Sequence, residues 1–304
     1  MIKRQERLNS NAPGYRMLIP ACIFLLIINT IPFFYGLVLS FTNKDIYKPN
    51  IATKFIGIEN YIKAMSSSDF LSILGFTLVY TITSVLLSYV LGMVFALLLN
   101  REIKGRNIFR GIALIPWVMA SSAVVISWRW MLNDQFGIIN IFLQQIGLIK
   151  EPIHFFSDPL LAKITVIMFA VWKGYPFQMI MLLGGLQSIG KEMYEPAVID
   201  GANKWQCFRY ITLPLLKPVS IVTLTLQFIW TFNTNSFDNI YLLTKGGPVK
   251  ATYVLSIDTY NAAFFKGKTG YASAISLIMT VFIAVVYIIY IAAKKVKESK
   301  ENEA

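Results

Sequence analysis

Apolar residues in this chain come in long uncharged blocks, not in the stripes of a soluble amphipathic helix or the alternation of a half-buried strand. From Phe70 to Leu99 no side chain carries a charge. That exceeds the roughly twenty residues a bilayer core requires and predicts a long or tilted helix. Comparable blocks run from Met17 to about Phe41, about Ile108 to Leu132, about Leu160 to Gln187, about Leu215 to Phe232 and about Tyr271 to Ala293. The third is interrupted by Pro116 and closes on Trp128, Arg129 and Trp130, aromatics and a snorkelling arginine suited to a membrane interface. Backbone in lipid must satisfy its own hydrogen bonds, and nothing here alternates like an outer-membrane barrel. The expected fold is therefore an all-α membrane protein with six transmembrane helices.

The connections between the blocks share the basic residues unevenly. Residues 1–16 hold Lys3, Arg4, Arg7 and Arg16, the link after the second block holds Arg101, Lys104, Arg106 and Arg110, and residues 294–304 hold Lys294, Lys295, Lys297 and Lys300. Together with Ser188–Pro218 these segments carry sixteen lysines and arginines, against nine in the longer connections Thr42–Asp69, Asn133–Pro159 and Asn233–Gly270. The positive-inside rule then makes 1–16 and 294–304 cytoplasmic tails, 17–293 the membrane domain, and Ser188–Pro218 a cytoplasmic loop.

Composition agrees and excludes several classes. The chain has 304 residues, 56% hydrophobic and 14% charged, with a mean hydropathy of +0.58, too apolar for a soluble domain. A net charge of +12 suggests nucleic acid only until its distribution is seen, for no basic face with interleaved aromatics exists. Cys22 and Cys207 have neither metal-ligand spacing nor a disulfide partnership, and His154 has no second ligand or nucleophile nearby. The first block is long enough to span and lacks a small-residue cleavage site, so it reads as a span rather than a cleaved leader. An enzyme would need a catalytic constellation in the spans, and an ion-coupled transporter an acidic or histidine relay there; neither is found. No strong internal repeat supports an inverted-repeat transporter.

The exception to the apolar pattern is Ser188–Pro218, SIGKEMYEPAVIDGANKWQCFRYITLPLLKP, polar and mixed in charge between two long blocks. Tyr194, Ala197, Val198, Ala202 and Trp205 recur at helical spacing, an apolar stripe suited to a groove. Gly201 allows a close backbone approach or a turn, and Leu213-Pro214 is expected to stop the element and redirect the chain. The plainer alternative is an amphipathic helix that merely joins two spans.

Glu195, Ala197, Gly201, Ile211, Leu213 and Pro214 give the spacing E-x-A-x3-G-x9-I-x-L-P. This pattern resembles the EAA loop of permease subunits of ATP-binding-cassette importers, and LLNREIKGRNIFR, NDQFGIIN, VWKGYPF, GLQSI and YLLTKGGP resemble the maltose-type carbohydrate branch, over about residues 75–270. The resemblance implies a multi-pass subunit of a prokaryotic cell membrane that is no enzyme itself. Its implied partners are a second homologous permease, two ATPase subunits that bind ATP and Mg, and an extracytoplasmic solute-binding protein met by the loop from Tyr241 to Gly270. It assigns ATPase coupling to Glu195, Ala197, Asp200, Gly201, Ile211, Leu213 and Pro214. Where the family has the first alanine of E-A-A this chain has Pro196, so the loop helix is expected to bend there or to start close by. Gly267-Lys268-Thr269 matches a phosphate loop only in its last three letters and lacks the leading glycine and strand.

Polar residues inside spans are costly and mark pathways. Lys173 lies near mid-span beside Trp172, Gly174, Tyr175 and Phe177, and Asn233, Asn235, Ser236 and Asp238 cluster at the end of the fifth block. Aromatic faces and hydrogen-bonding groups suit a carbohydrate. The resemblance implies that Lys173, Gly174, Phe177, Asn235 and Ser236, with neighbouring Asn233, line a sugar site. Against this stand a salt bridge for Lys173 and helix capping for the asparagines. A polyol, a glycerol phosphate or a charged saccharide stays open as the substrate.

Overall fold

The computed structural model describes residues 12–302; the side chains of 12–16, 290 and 292–302 are not described. The cationic tail residues Lys3, Arg4 and Arg7 lie outside the described residues. Apart from one isolated bridge between Thr42 and Phe55, regular structure among the described residues is helical.

In chain order a rod from Ala12 to Ser40 with a π-turn at Leu26–Thr30 (α1) precedes Glu59–Met65 (α2) and Ser68–Asn100 (α3). Then come Arg106–Val118 (α4), Ser121–Met131 (α5), Ile138–Gln145 (α6), Pro159–Gln187 (α7) and Glu195–Ile199 (α8). A long rod follows from Lys204 to Leu243 (α9), then Leu255–Tyr260 (α10) and Thr269–Asn302 (α11). Among the described residues five helices are long and apolar enough to cross a membrane, and six if the bent pair α4–α5 forms one span. The segment 294–302, expected as a tail, continues α11.

The chain divides into two compact units, residues 1–67 with 259–304, and residues 68–258. In the first, α1 and α2 pack on α11. Gly270 makes that approach possible, because a Cβ there would run into the Thr42 carbonyl oxygen. Buried Asn60 holds the connecting loop by donating to the Ser40 and Thr42 carbonyls at 2.9 and 2.8 Å.

In the second unit α3 lies along α7, and the small and hydroxyl residues of α3 explain the fit. Thr77, Thr81, Ser84 and Ser88 are all buried on it, at the three- and four-residue steps that form one helix face. At Gly92 a Cβ would stand 2.6 Å from Gln178 Cβ and 2.9 Å from Met179 N, so only glycine allows this spacing. Two apolar clusters flank the pair. One gathers Tyr80, Val124, Phe169, Ile240 and Val254; the other gathers Met93, Ala96, Ala113, Met179, Leu182 and Leu216.

Three expectations are corrected. The third block breaks after Pro116, at Met119 and Ala120, whose extended backbone (ψ 140° and 131°) turns α4 from α5 by 93°. Proline disturbs the ladder but its ring fits inside α4, and the chain departs three residues later. Leu213-Pro214 does not stop a helix. The Leu213 amide bonds the Phe208 carbonyl in a π-turn, Phe208–Thr212, and the rod runs through Pro214 without interruption; the wider turn absorbs a residue that cannot donate. Nor does the fifth block end at Phe232. A second π-turn, Thr231–Asn235, carries α9 on to Leu243, so Asn233 and Asn235 cap nothing.

Candidate functional site

The break between α4 and α5 leaves helix-end carbonyls without intrahelical donors, which an apolar surrounding cannot leave unpaired. Lys173 of α7 answers this. Its ammonium donates to the Met119 carbonyl at 2.9 Å and, more weakly, to the Pro116 carbonyl at 3.5 Å. No carboxylate within salt-bridge distance of Lys173 is found among the described residues. One turn away the Tyr175 hydroxyl donates to the Ala113 carbonyl at 3.2 Å, tying α4 to α7 again.

Beside this junction lies a cavity of about 320 Å³, lined by Trp117, Met119, Ala120 and Ser121 of the break, Lys173, Gly174 and Phe177 of α7, and Gln227, Trp230, Thr231 and Asn235 of α9. Phe177 packs between Trp117, at 6.1 Å between centroids, and Trp230, at 5.1 Å. Ala170 and Asn239 complete the lining, so three ring systems with a lysine and three carboxamides make a wall of apolar faces edged by hydrogen-bonding groups. Such a wall can stack C–H surfaces and hold hydroxyls.

Four of the expected substrate residues, Lys173, Gly174, Phe177 and Asn235, line this cavity, whereas Asn233 and Ser236 do not. Ser236 is fully buried; its hydroxyl bonds the Phe232 and Asn233 carbonyls and the Ser256 hydroxyl, fastening α9 to α10. The sequence reading missed Trp117, Trp230 and Gln227. Gln227, an uncharged polar residue deep in an apolar block, carried a usable signal.

Within Ser188–Pro218 the apolar stripe is not one helix. It is divided into α8 and the start of α9 by a turn at Gly201, whose φ is +83°. The Gly201 amide donates to the Val198 carbonyl at 3.1 Å and the Ala202 amide to the Ala197 carbonyl at 2.8 Å, the paired closure of a helix ended by a left-handed residue. Nothing lies within 4 Å of a Cβ built on Gly201, so the turn, not a close approach, requires glycine. Pro196 occupies the first turn of α8, where no intrahelical donor is needed. The helix starts at Glu195; it is not bent. Asn203 and Gln206 then form a reciprocal capping box that starts α9.

Ile199 is 85% and Trp205 67% exposed, and Val198 and Tyr210 are exposed with them, an apolar surface on the loop. Its root is anchored. Ile189, Phe208 and Leu213 pack on the apolar cluster of Met93, Met179 and Leu216, and the Tyr194 and Thr212 hydroxyls meet at 3.1 Å. Glu195 and Pro214 are exposed, Asp200 closes α8, and Ile211 is half-buried in the π-turn.

Elsewhere, Cys22 and Cys207 are free, and no metal-holding group of His, Cys, Asp or Glu is found among the described residues. His154 meets Asp134 at 2.8 Å in the connection after α5. Buried Asn140 organises that connection by exchanging two bonds with Ile153. In the expected outer loop after α9, Lys250 bonds Asp69, and this partner raises its pKa above the usual lysine value.

Residues 88–295 match the model of the binding-protein-dependent transport system inner membrane component. The chain belongs to this family. It is 36% identical over 278 residues to the trehalose/maltose transport system permease protein MalF of Thermococcus litoralis, covering 91% of this chain and 92% of that one. It is 33% identical to the maltodextrin transport system permease protein MdxF of Bacillus subtilis, covering 92% and 68% respectively. A chain from a bacterial ABC transporter involved in the import of alginate shares the fold at a TM-score of 0.82 and 24% identity, over 96% of this chain and 98% of that one. This permease is thus an integral inner-membrane transport component, not an enzyme.

Proposed function

We propose that this permease forms half of the translocation pathway of an ATP-driven carbohydrate importer. Six spans, with α4–α5 as the broken third, leave both termini and the α8 loop in the cytoplasm. The uneven sharing of lysine and arginine between the connections supports that orientation. A second homologous permease completes the pathway, two ATPase subunits bind ATP and Mg, and an extracytoplasmic binding protein delivers the sugar.

The observation that carries the substrate reading is the cavity, where Trp117, Phe177 and Trp230 stand beside Lys173 and Asn235. The names of relatives that transport maltose, trehalose and maltodextrin support it. A charged saccharide is the second reading, favoured by the Lys173 ammonium in the wall. That charge already faces two backbone carbonyls, so a neutral sugar is preferred.

For coupling, an anchored loop with an exposed apolar tip acts as a rigid lever. Force on Ile199 and Trp205 passes through Phe208 and Leu213 into the core. ATP-driven closure of the ATPase pair would then shift the spans between two access states.

The test is uptake of radiolabelled maltose and trehalose by the reconstituted complex. Phe177→Ala and Asn235→Ala are expected to lose uptake, and Glu195→Lys to lose it while still inserting in the membrane. Normal rate and affinity in the first two would remove the cavity from the pathway; normal uptake in the third would remove the loop from coupling.

A further inference from the structure

Gln227 of the cavity lining is paired with Gln178 behind it, and neither glutamine belongs to a motif. Gln178 of α7 is fully buried, and Gln227 of α9 is 4% exposed. The Gln178 amide nitrogen donates to the Thr223 carbonyl at 3.3 Å and to Gln227 Oε1 at 2.5 Å.

The chemistry of these partners fixes both carboxamides. A backbone carbonyl only accepts, so Thr223 decides that Gln178 presents its NH2 to α9, and Gln227 must therefore turn its oxygen to Gln178. The Gln227 NH2 is left at the other end. It lies over Gly174, where a Cβ would stand 2.5 Å from Nε2, and both residues line the cavity. This nitrogen donates to no acceptor among the described residues, and it is not sealed from the cavity.

The arrangement is a poor choice for stability alone. Gln178 Oε1 is buried without a partner, and an unpaired buried acceptor is destabilising, whereas two apolar residues would fill the same space without that penalty. What the pair accomplishes is direction. It holds one uncharged donor, with a fixed orientation, in the lining of the cavity beside Trp230 and Phe177.

We propose that Gln227 is a substrate-recognising donor of the transport cavity, directed at an acceptor oxygen of a polyhydroxylated substrate, and that Gln178 is its positioning residue. The inference rests on the carbohydrate reading above. It also explains Gly174, which contributes absence of bulk so that the Gln227 amide can reach the cavity.

The test uses the whole importer, with partner permease, ATPase subunits and binding protein, in proteoliposomes given radiolabelled maltose, trehalose or maltotriose at saturating binding protein. Gln227→Leu is expected to lower uptake about three- to tenfold, the worth of one neutral hydrogen bond. Gln227→Glu keeps the shape and still accepts the bond from Gln178, but offers the cavity an acceptor; it lowers uptake at least as far. Gln178→Leu frees the Gln227 amide and causes a smaller loss, and added to Gln227→Leu it costs nothing more. Assembly and thermal midpoint of each complex in detergent separate these losses from misfolding, and Gln227→Met replaces a leucine variant that fails to assemble. Wild-type uptake in Gln227→Glu, or additive losses in the double variant, overturns the inference and leaves the pair a structural bond. Sugar uptake unaffected by every glutamine variant overturns this inference alone; no sugar uptake by the wild-type complex overturns the carbohydrate reading and this inference together.

Discussion

Replacing Gly201 probes the α8 loop with little else disturbed, because a Cβ there meets nothing within 4 Å. Any cost must come from the backbone. At φ +83° an L-residue is penalised by about 1–2 kcal/mol, which shifts a local equilibrium by about 5- to 30-fold. The loop has little reserve against such a shift. Helix α8 has five residues and no side-chain N-cap, and a helix this short depends on its closure bonds, here Gly201 to Val198 and Ala202 to Ala197. If the α8 loop docks the ATPase as proposed, Gly201→Ala is expected to weaken binding of the purified permease to its ATPase by about 5- to 30-fold. Gly201→Asn should lose less, since asparagine visits the left-handed region more readily, and Gly201→Val should lose most. Titration of labelled ATPase subunits against each variant in detergent reads the order directly. Wild-type affinity in Gly201→Ala, or an asparagine variant worse than valine, would refute the conformational argument.

Lys173→Met removes the charged donor from the Met119 carbonyl, a bond worth about 1.5–3 kcal/mol, and should lower the thermal midpoint in detergent more than Lys173→Arg does; equal midpoints for wild type and Lys173→Met contradict the capping role. Gly92→Val forces α3 from the α7 backbone, a misfit of about 1–3 kcal/mol, whereas Gly75→Ala on the same helix meets nothing within 4 Å and should be tolerated. Equal midpoints for these two variants would show that α3 and α7 are not in close contact at Gly92. The Lys250–Asp69 pair is exposed, so Lys250→Met should cost less than about 1 kcal/mol at pH 7. Because the folded-state pKa of Lys250 is raised, the contribution is complete below the usual lysine pKa and fades as pH climbs through the raised value. A difference between wild type and Lys250→Met that grows in strong alkali has the wrong sign.

The apolar blocks predicted α3 and α7 to within a few residues, because a bilayer-length uncharged run has one stable backbone solution. The spacing around Glu195 and Gly201 located the loop for a similar reason: a left-handed turn and a proline at a helix start are local demands, met by local residues. Local patterns misled where a neighbouring element decided the outcome. Pro116 marked the wrong residue for the break, since the site of departure is held by Lys173 from α7. Asn233 and Asn235 looked alike in sequence, and a π-turn turned only Asn235 into the cavity.

What the sequence determined by itself is therefore the class of molecule: its solvent, its helices and the polar loop between two long apolar blocks, all written in composition and short-range spacing. The cavity was decided by tertiary structure. Trp117, Phe177, Gln227 and Trp230 come from three separate helices, and their approach depends on a 93° break, on Gly92 and Gly174 giving up bulk, and on a lysine that satisfies carbonyls 57 and 54 residues away in sequence. A hydrophobic run specifies that a helix is buried in lipid. Which of its faces meets which neighbour is set by the fit of side chains across the interface.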